Sequence, residues 1–285
     1  MNEIILINKP KGYTSRDIVN IVSKKLNTKK VGHFGTLDPL ADGLLIIGTG
    51  SYTKLGNFLK DDTKEYIAEV LIGASTDTYD TEGTILEKLE DVSITKEEIE
   101  NILKLFQKTY NQEVPIYSAT KVNGKKLYEY ARSGKKVELP KKEVTIYDIE
   151  LIDLYEKEGN KYFSFEAKVS KGTYIRSLIN DISKELNIPL CMSALTRTKQ
   201  DKFFLKDANT IENIKNKKYK SLNIRDVLDI EEKEIPLELE KKILNGSKIE
   251  RLSDNMILFT KNNIDIVLYA PYKDEMKPVL TLKNN

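Results

Sequence analysis

Apolar residues along the chain form three kinds of pattern, and each predicts a different element. Residues 3–8 (Glu-Ile-Ile-Leu-Ile-Asn) and 44–47 (Leu-Leu-Ile-Ile) are short, β-rich apolar runs, as in buried strands. Residues 64–74 alternate instead, which sets Tyr66, Ala68, Val70 and Ile72 on one face of a strand with Tyr66 facing inward. Helical spacing follows Thr14 to Asp17, with Ile18, Val19, Val22 and Leu26 on one side, and returns at 95–107, with Ile99, Ile102, Leu103 and Phe106. Both helices open on a capping signal, Thr14 with Asp17 and Thr95 with Glu98. After Lys171-Gly172 a further helix carries Ile175, Leu178, Ile179, Ile182 and Leu186 on its core face, with Arg176 in the first turn beside that face. Asn123-Gly124 marks one hairpin, and Glu158-Gly159-Asn160 a second that joins strands near 145–156 and 161–170.

Strands mixed with well-separated helices argue for an α+β fold with a largely antiparallel sheet. A chain of 285 residues is long for one domain. The charge pattern breaks at 228–240, where six acids stand against one lysine and Pro236 interrupts. The expected division is therefore a large domain over 1–228 and a small one over 229–285. The second contains Asn245-Gly246, Met256 to Phe259 and Ile264 to Tyr269, which read as short strands and turns.

Composition narrows the function classes. No apolar run approaches the roughly 20 residues a membrane helix needs. Met1 leads straight into a strand-like segment without the basic region and apolar core of a signal peptide, so residence in the cytoplasm is expected. One cysteine, Cys191, excludes an intramolecular disulfide and a Cys-rich metal site, and one histidine, His33, argues against a zinc centre. The net charge of +2 is unremarked, but it is unevenly spread. Residues 1–60 hold nine basic against four acidic side chains, 108–142 nine against three, and 81–106 three against seven. Such asymmetry suits a basic face toward a polyanion, although lysine-rich surfaces also serve solubility alone.

The densest chemistry lies in Gly32-His33-Phe34-Gly35-Thr36-Leu37-Asp38-Pro39-Leu40-Ala41-Asp42-Gly43-Leu44-Leu45. Pro39 fixes its own φ and pushes Asp38 away from helical angles, so the carboxylate is held in one orientation. A turn in which Asp38 bonds its own backbone and a reactive carboxylate both fit this pattern.

The segment resembles the signature Gly-His-x-Gly-Thr-Leu-Asp-Pro-x-Ala-x-Gly-x-Leu of the TruB family of pseudouridine synthases. Further segments follow in the family's order: Asn8 to Gly12, Lys64-Glu65-Tyr66, Thr76 to Asp80, Pro115 to Ala119, Lys121 to Tyr130 and Ser170 to Arg176. The C-terminal tail matches only loosely. The resemblance implies the pseudouridine synthase fold, a mixed, largely antiparallel sheet flanked by helices, followed by a PUA-like RNA-binding module. It implies an isomerase acting on the uridine at position 55 in the T-loop of tRNA, without cofactor or metal, as a monomer with no obligate protein partner.

By the same resemblance Asp38 is the nucleophile, through addition to C6 of the uracil or attack on C1′ of the ribose. Arg176 is its counter-ion, a role that suits a planar, permanently charged guanidinium, whereas spacing alone fits a surface or phosphate contact equally. Tyr66 would stack on the uracil, or be an ordinary core tyrosine. Tyr174 and Leu195 would line the pocket or simply belong to the core. The stacked uridine must be flipped out, and His33 would fill the space it leaves or steady the rearranged loop. Lys9, Lys11 and the lysines of 121–126 are candidates for phosphate contacts, and Asp80 for an acidic residue near the RNA or pocket; a solvated surface and a turn cap are their simpler readings. The rival function is a non-catalytic module that holds the T-arm, and a third is a pseudouridine synthase with another RNA target.

Overall fold

In the computed structural model, which describes residues 2–59 and 63–282, the two unbroken apolar runs are neighbours. Strand β1 (Ile4–Lys9) leads into helix α1 (Ser15–Lys25), then β2 (Val31–His33) and β3 (Asp42–Thr49), and β3 pairs antiparallel with both strands. The runs are continuous because both faces of this pair are covered. Ile5, Ile7, Leu45 and Ile47 enter the main core, while Ile4, Leu6, Leu44 and Ile46 enter a second core on the opposite face.

Strand β4 (Lys64–Ile72) keeps the expected alternation, with Tyr66, Ala68, Val70 and Ile72 in the main core. A small hairpin, β5 (Ala74–Thr76) with β6 (Ile85–Lys88), precedes α2 (Lys96–Phe106). Strand β7 (Thr109–Glu113) and the hairpin β8 (Lys121–Val122) with β9 (Lys125–Lys126) lead to the short helix α3 (Leu127–Arg132). The long hairpin β10 (Lys141–Lys157) with β11 (Asn160–Val169) turns at Glu158-Gly159, as the sequence predicts. Helix α4 (Ile175–Leu186), β12 (Leu190–Gln200) and β13 (Phe203–Phe204) complete a nine-stranded sheet ordered β1-β3-β12-β4-β11-β10-β7, with β2 and β13 at its side.

Every pairing in this sheet is antiparallel except β3 with β12, where Thr196 meets Asp42 and Arg197 meets Gly43. That crossing needs a glycine. A Cβ on Gly43, at φ +98°, would lie 2.4 Å from the Arg197 carbonyl oxygen, inside contact distance. Helices α1, α2 and α4 bury their apolar faces in the main core. The first two start with the predicted reciprocal caps. Thr14 accepts from Asp17 N (3.0 Å) while Asp17 accepts from Thr14 N (2.9 Å), and Thr95 and Glu98 do the same (3.2 and 2.7 Å).

A second sheet contains β14 (Ile230–Glu234), β15 (Ile249–Glu250), β16 (Met256–Lys261), β17 (Ile264–Tyr272) and β18 (Glu275–Thr281), in the order β14-β16-β17-β18-β15. The acidic stretch at 228–240 is thus more than a connection, because Ile230–Glu234 runs parallel to β16 as an edge strand. Its charged residues, Glu231 to Glu234, occupy a sheet edge, where charge discourages further strand pairing. Leu258, Leu268 and Leu280 from this sheet share the second core with Ile4, Leu6 and Leu44, so the two sheets are packed together.

Candidate active site

Between the signature loop, β4, the start of α4 and the end of β12 lies a cleft of about 440 Å³. The loop that carries Asp38 is held from several sides. Leu37 is buried in the main core, Ala41 N bonds the Asp38 carbonyl (3.1 Å), and Gly12 N bonds the Pro39 carbonyl (2.8 Å). The Asp38 side chain remains 39% exposed at the cleft.

Arg176 comes from the first turn of α4, far along the chain, and its side chain is only 6% exposed. Nη2 lies 2.8 Å from Asp38 Oδ2 and Nη1 lies 3.7 Å from Asp80 Oδ2. The guanidinium is fixed by two carbonyls as well: Nη1 donates to Thr78 (3.1 Å) and Nη2 to Tyr117 (3.0 Å). No protein donor within the described residues bonds Asp38 Oδ1. A buried cation tethered to backbone therefore holds a carboxylate that lines the cleft.

The other candidates distribute unevenly. Tyr66 and Leu195 are buried and line the cleft from adjacent strands. Tyr174 lines it at the N-cap of α4, where its hydroxyl is 2.9 Å from Thr120 Oγ1 and its backbone N donates to Gln112 Oε1 (2.8 Å). His33 also lines the cleft. Burial, followed by the charges of Arg16 and Arg197, holds its imidazole below the ordinary histidine range, so it is neutral at neutral pH. Asp80 stands behind Arg176, outside the cleft lining. It also caps its own turn, accepting from Thr78 Oγ1 (2.6 Å) and Glu82 N (3.1 Å), which is the simpler of the two readings of this residue.

Lys9 is placed differently from the phosphate contact expected of it. It is wholly buried, and its ammonium donates to the carbonyls of Pro10 (3.0 Å) and Tyr13 (2.6 Å). Burial pulls its pKa down to about 8, against the raising effect of Asp42 and Asp38. Lys9 holds the turn that supports the loop; it does not reach the cleft surface.

Several cleft residues escaped the sequence reading, Arg197 and Gln200 among them. Arg197 is fully buried on β12, where Nε donates to the Leu44 carbonyl (2.7 Å) and Nη2 to that of Gly35 (3.3 Å). Gln200 Nε2 donates to the Phe34 carbonyl (2.6 Å). Alternation along β12 links Leu195 to Arg197, but a bulge between Arg197 and Lys199 resets the pattern and turns Gln200 inward. Cys191 is buried, and its thiol is pushed up to about 12 by burial and then by Asp80, which leaves it without nucleophilic character. Among the described residues no group of three His, Cys, Asp or Glu side chains could hold a metal ion, and no helix is long and apolar enough to cross a membrane.

The chain is similar in sequence and in fold to known proteins. A family model described as TruB family pseudouridylate synthase (N terminal domain) matches residues 23–175. The tRNA pseudouridine synthase B of Mesoplasma florum is 39% identical, over 91% of this chain and 89% of that protein. The tRNA pseudouridine synthase B of Bacillus cereus is also 39% identical, over 100% of this chain and 98% of its own length. A chain from the crystal structure of a Cbf5-Nop10-Gar1 complex superposes with a TM-score of 0.66, covering 99% of this chain and 84% of that one at 19% identity, which is a likeness of fold.

Proposed function

This chain belongs to the TruB family of pseudouridylate synthases, and from that premise we propose that it isomerises the T-loop uridine of tRNA to pseudouridine. The reaction breaks the N1–C1′ bond and forms a C5–C1′ bond; C5 gives up its proton and N1 gains one. Asp38 is the nucleophile, which divides the exchange into easier steps through a covalent intermediate. Arg176 keeps that carboxylate ionised and oriented, and Asp80 balances the charge behind it. Tyr66 stacks on the uracil, Leu195 and Tyr174 wall the pocket against water, and the neutral His33 takes up space opened in the RNA when the uridine leaves its stack.

The observation that carries this reading is the 2.8 Å ion pair between Asp38 and Arg176 at a cleft that Tyr66 also lines. Residues 1–228 form the catalytic domain in this proposal, and residues 229–285 form a PUA-like module that adds RNA contacts. The protein works in the cytoplasm as a monomer and needs no protein partner.

A T-stem-loop RNA carrying uridine tritiated at C5 tests the proposal. Purified protein is expected to release tritium without added metal or nucleotide. Tight, salt-sensitive binding without release, even with protein in excess, would identify a non-catalytic RNA-binding module instead.

A further inference from the structure

Ser15 is the first residue of α1 and is 3% exposed. Its hydroxyl faces the peptide groups of Leu37, the residue immediately before Asp38. It accepts from Leu37 N at 2.8 Å and donates to the Leu37 carbonyl at 3.0 Å. One side chain thus satisfies both polar backbone groups of a residue whose own side chain is sealed in the main core. Beside it, Gly12 N bonds the Pro39 carbonyl at 2.8 Å. The segment 37–39 is therefore gripped on either side of Asp38 by the turn and helix start at 12–15.

We propose that Ser15 is a positioning residue for the isomerisation: by holding both backbone groups of Leu37, it sets where the Asp38 carboxylate stands relative to Arg176 and to the bound uridine. This rests on the reaction proposed above. Asp38 Oδ1 has no protein donor to place it, so its position follows from the backbone and from the single contact of Oδ2 with Arg176. A misplacement of the order of 1 Å at a reacting group costs about 100-fold in rate. Without the Ser15 hydroxyl, Leu37 N and O would be left in a buried site with no partner, and the loop would shift to satisfy them.

A buried serine bond also supports the fold, and the chain contains a control with the same bonding pattern at a partly buried serine. Ser183 Oγ donates to the Ile188 carbonyl (2.7 Å) and accepts from Leu190 N (3.2 Å), tying a turn that lies outside the cleft lining. The experiment compares wild type, Ser15→Ala and Ser183→Ala by melting temperature, by dissociation constant for the T-stem-loop RNA, and by single-turnover tritium release. Both variants are expected to melt lower than wild type. Only Ser15→Ala is expected to slow release, by about 10- to 100-fold, with the dissociation constant within about twofold of wild type.

Equal slowing of both variants, wild-type release by Ser15→Ala, or a loss of affinity as large as the loss of rate would overturn the role assigned to Ser15. If Ser15→Ala does not fold, Ser15→Cys, which retains the volume and a weak donor, is measured against the same criteria. Absence of release by wild type would refute the reaction itself, whereas release by wild type with an unaffected Ser15→Ala would refute only the positioning role.

Discussion

Two arginines in this chain each stand between two carboxylates, and they differ in what is left unspent. Arg225, partly exposed, gives its donors to all four oxygens of Glu232 and Asp265, at 2.7 to 2.9 Å. Glu232 lies on β14 and Asp265 on β17, so the group clasps the second sheet to the short helix Ile224–Val227. Arg176 is buried, gives hydrogen bonds to two carbonyls, and touches one oxygen each of Asp38 and Asp80. The first arrangement is closed and screened by solvent, as a structural clamp can be. The second fixes the cation through backbone and leaves the Asp38 carboxylate partly exposed at a cleft.

Mutations should separate the two arrangements sharply. The largest effect is expected for Asp38→Asn: tritium release from C5-labelled RNA should fall by at least about 1,000-fold while the variant still folds and binds. Next, Arg176→Lys should slow release by about 100-fold, because an ammonium cannot hold Asp38 while also reaching both carbonyls. The same change at Arg225 should lower the melting temperature and leave the rate unchanged. Equal rate losses at the two arginines would erase the distinction. Tyr66→Ala should weaken binding of the T-stem-loop by about 1–3 kcal/mol, the scale of one base stacked on an aromatic ring, as measured by titration.

The smallest effect concerns stability and pH. Folded Lys9 releases its proton near pH 8, and the unfolded chain does so near the ordinary value of 10.5. Between those values the unfolded chain binds the extra proton, so this group makes stability rise with pH across that window; below it, the cost of the buried charge is present in full. Wild type should therefore gain stability relative to Lys9→Met between about pH 8 and 10.5 in urea unfolding. A constant difference across the window would mean that Lys9 is not titrating as a buried group.

The elements governed by local chemistry were legible in the sequence. Thr14 with Asp17 and Thr95 with Glu98 mark their helices because a cap is made by residues three apart. The alternation at Tyr66 places that ring on the inner face because a strand has a period of two. What escaped depends on contacts between distant segments. Lysine is normally a surface residue, yet the pairing of β1 with β3 carries Lys9 inside, where two nearby carbonyls receive it. Arg197 and Gln200 sit in a basic-looking stretch, and only the parallel crossing with β3 and the bulge in β12 bring them to the signature loop. The acids of 228–240 read as a break in the chain, whereas an edge strand can carry the same charges. The meeting of Asp38 with Arg176 follows from the family resemblance; spacing along the chain left a phosphate contact equally open.

The most direct test is to incubate an unmodified tRNA transcript with wild type and with Asp38→Asn and to map pseudouridine at every uridine. Modification of the T-loop uridine alone by wild type, and none by Asp38→Asn, is the predicted result. Pseudouridine at that site formed equally by Asp38→Asn, or no pseudouridine formed by wild type, would contradict it.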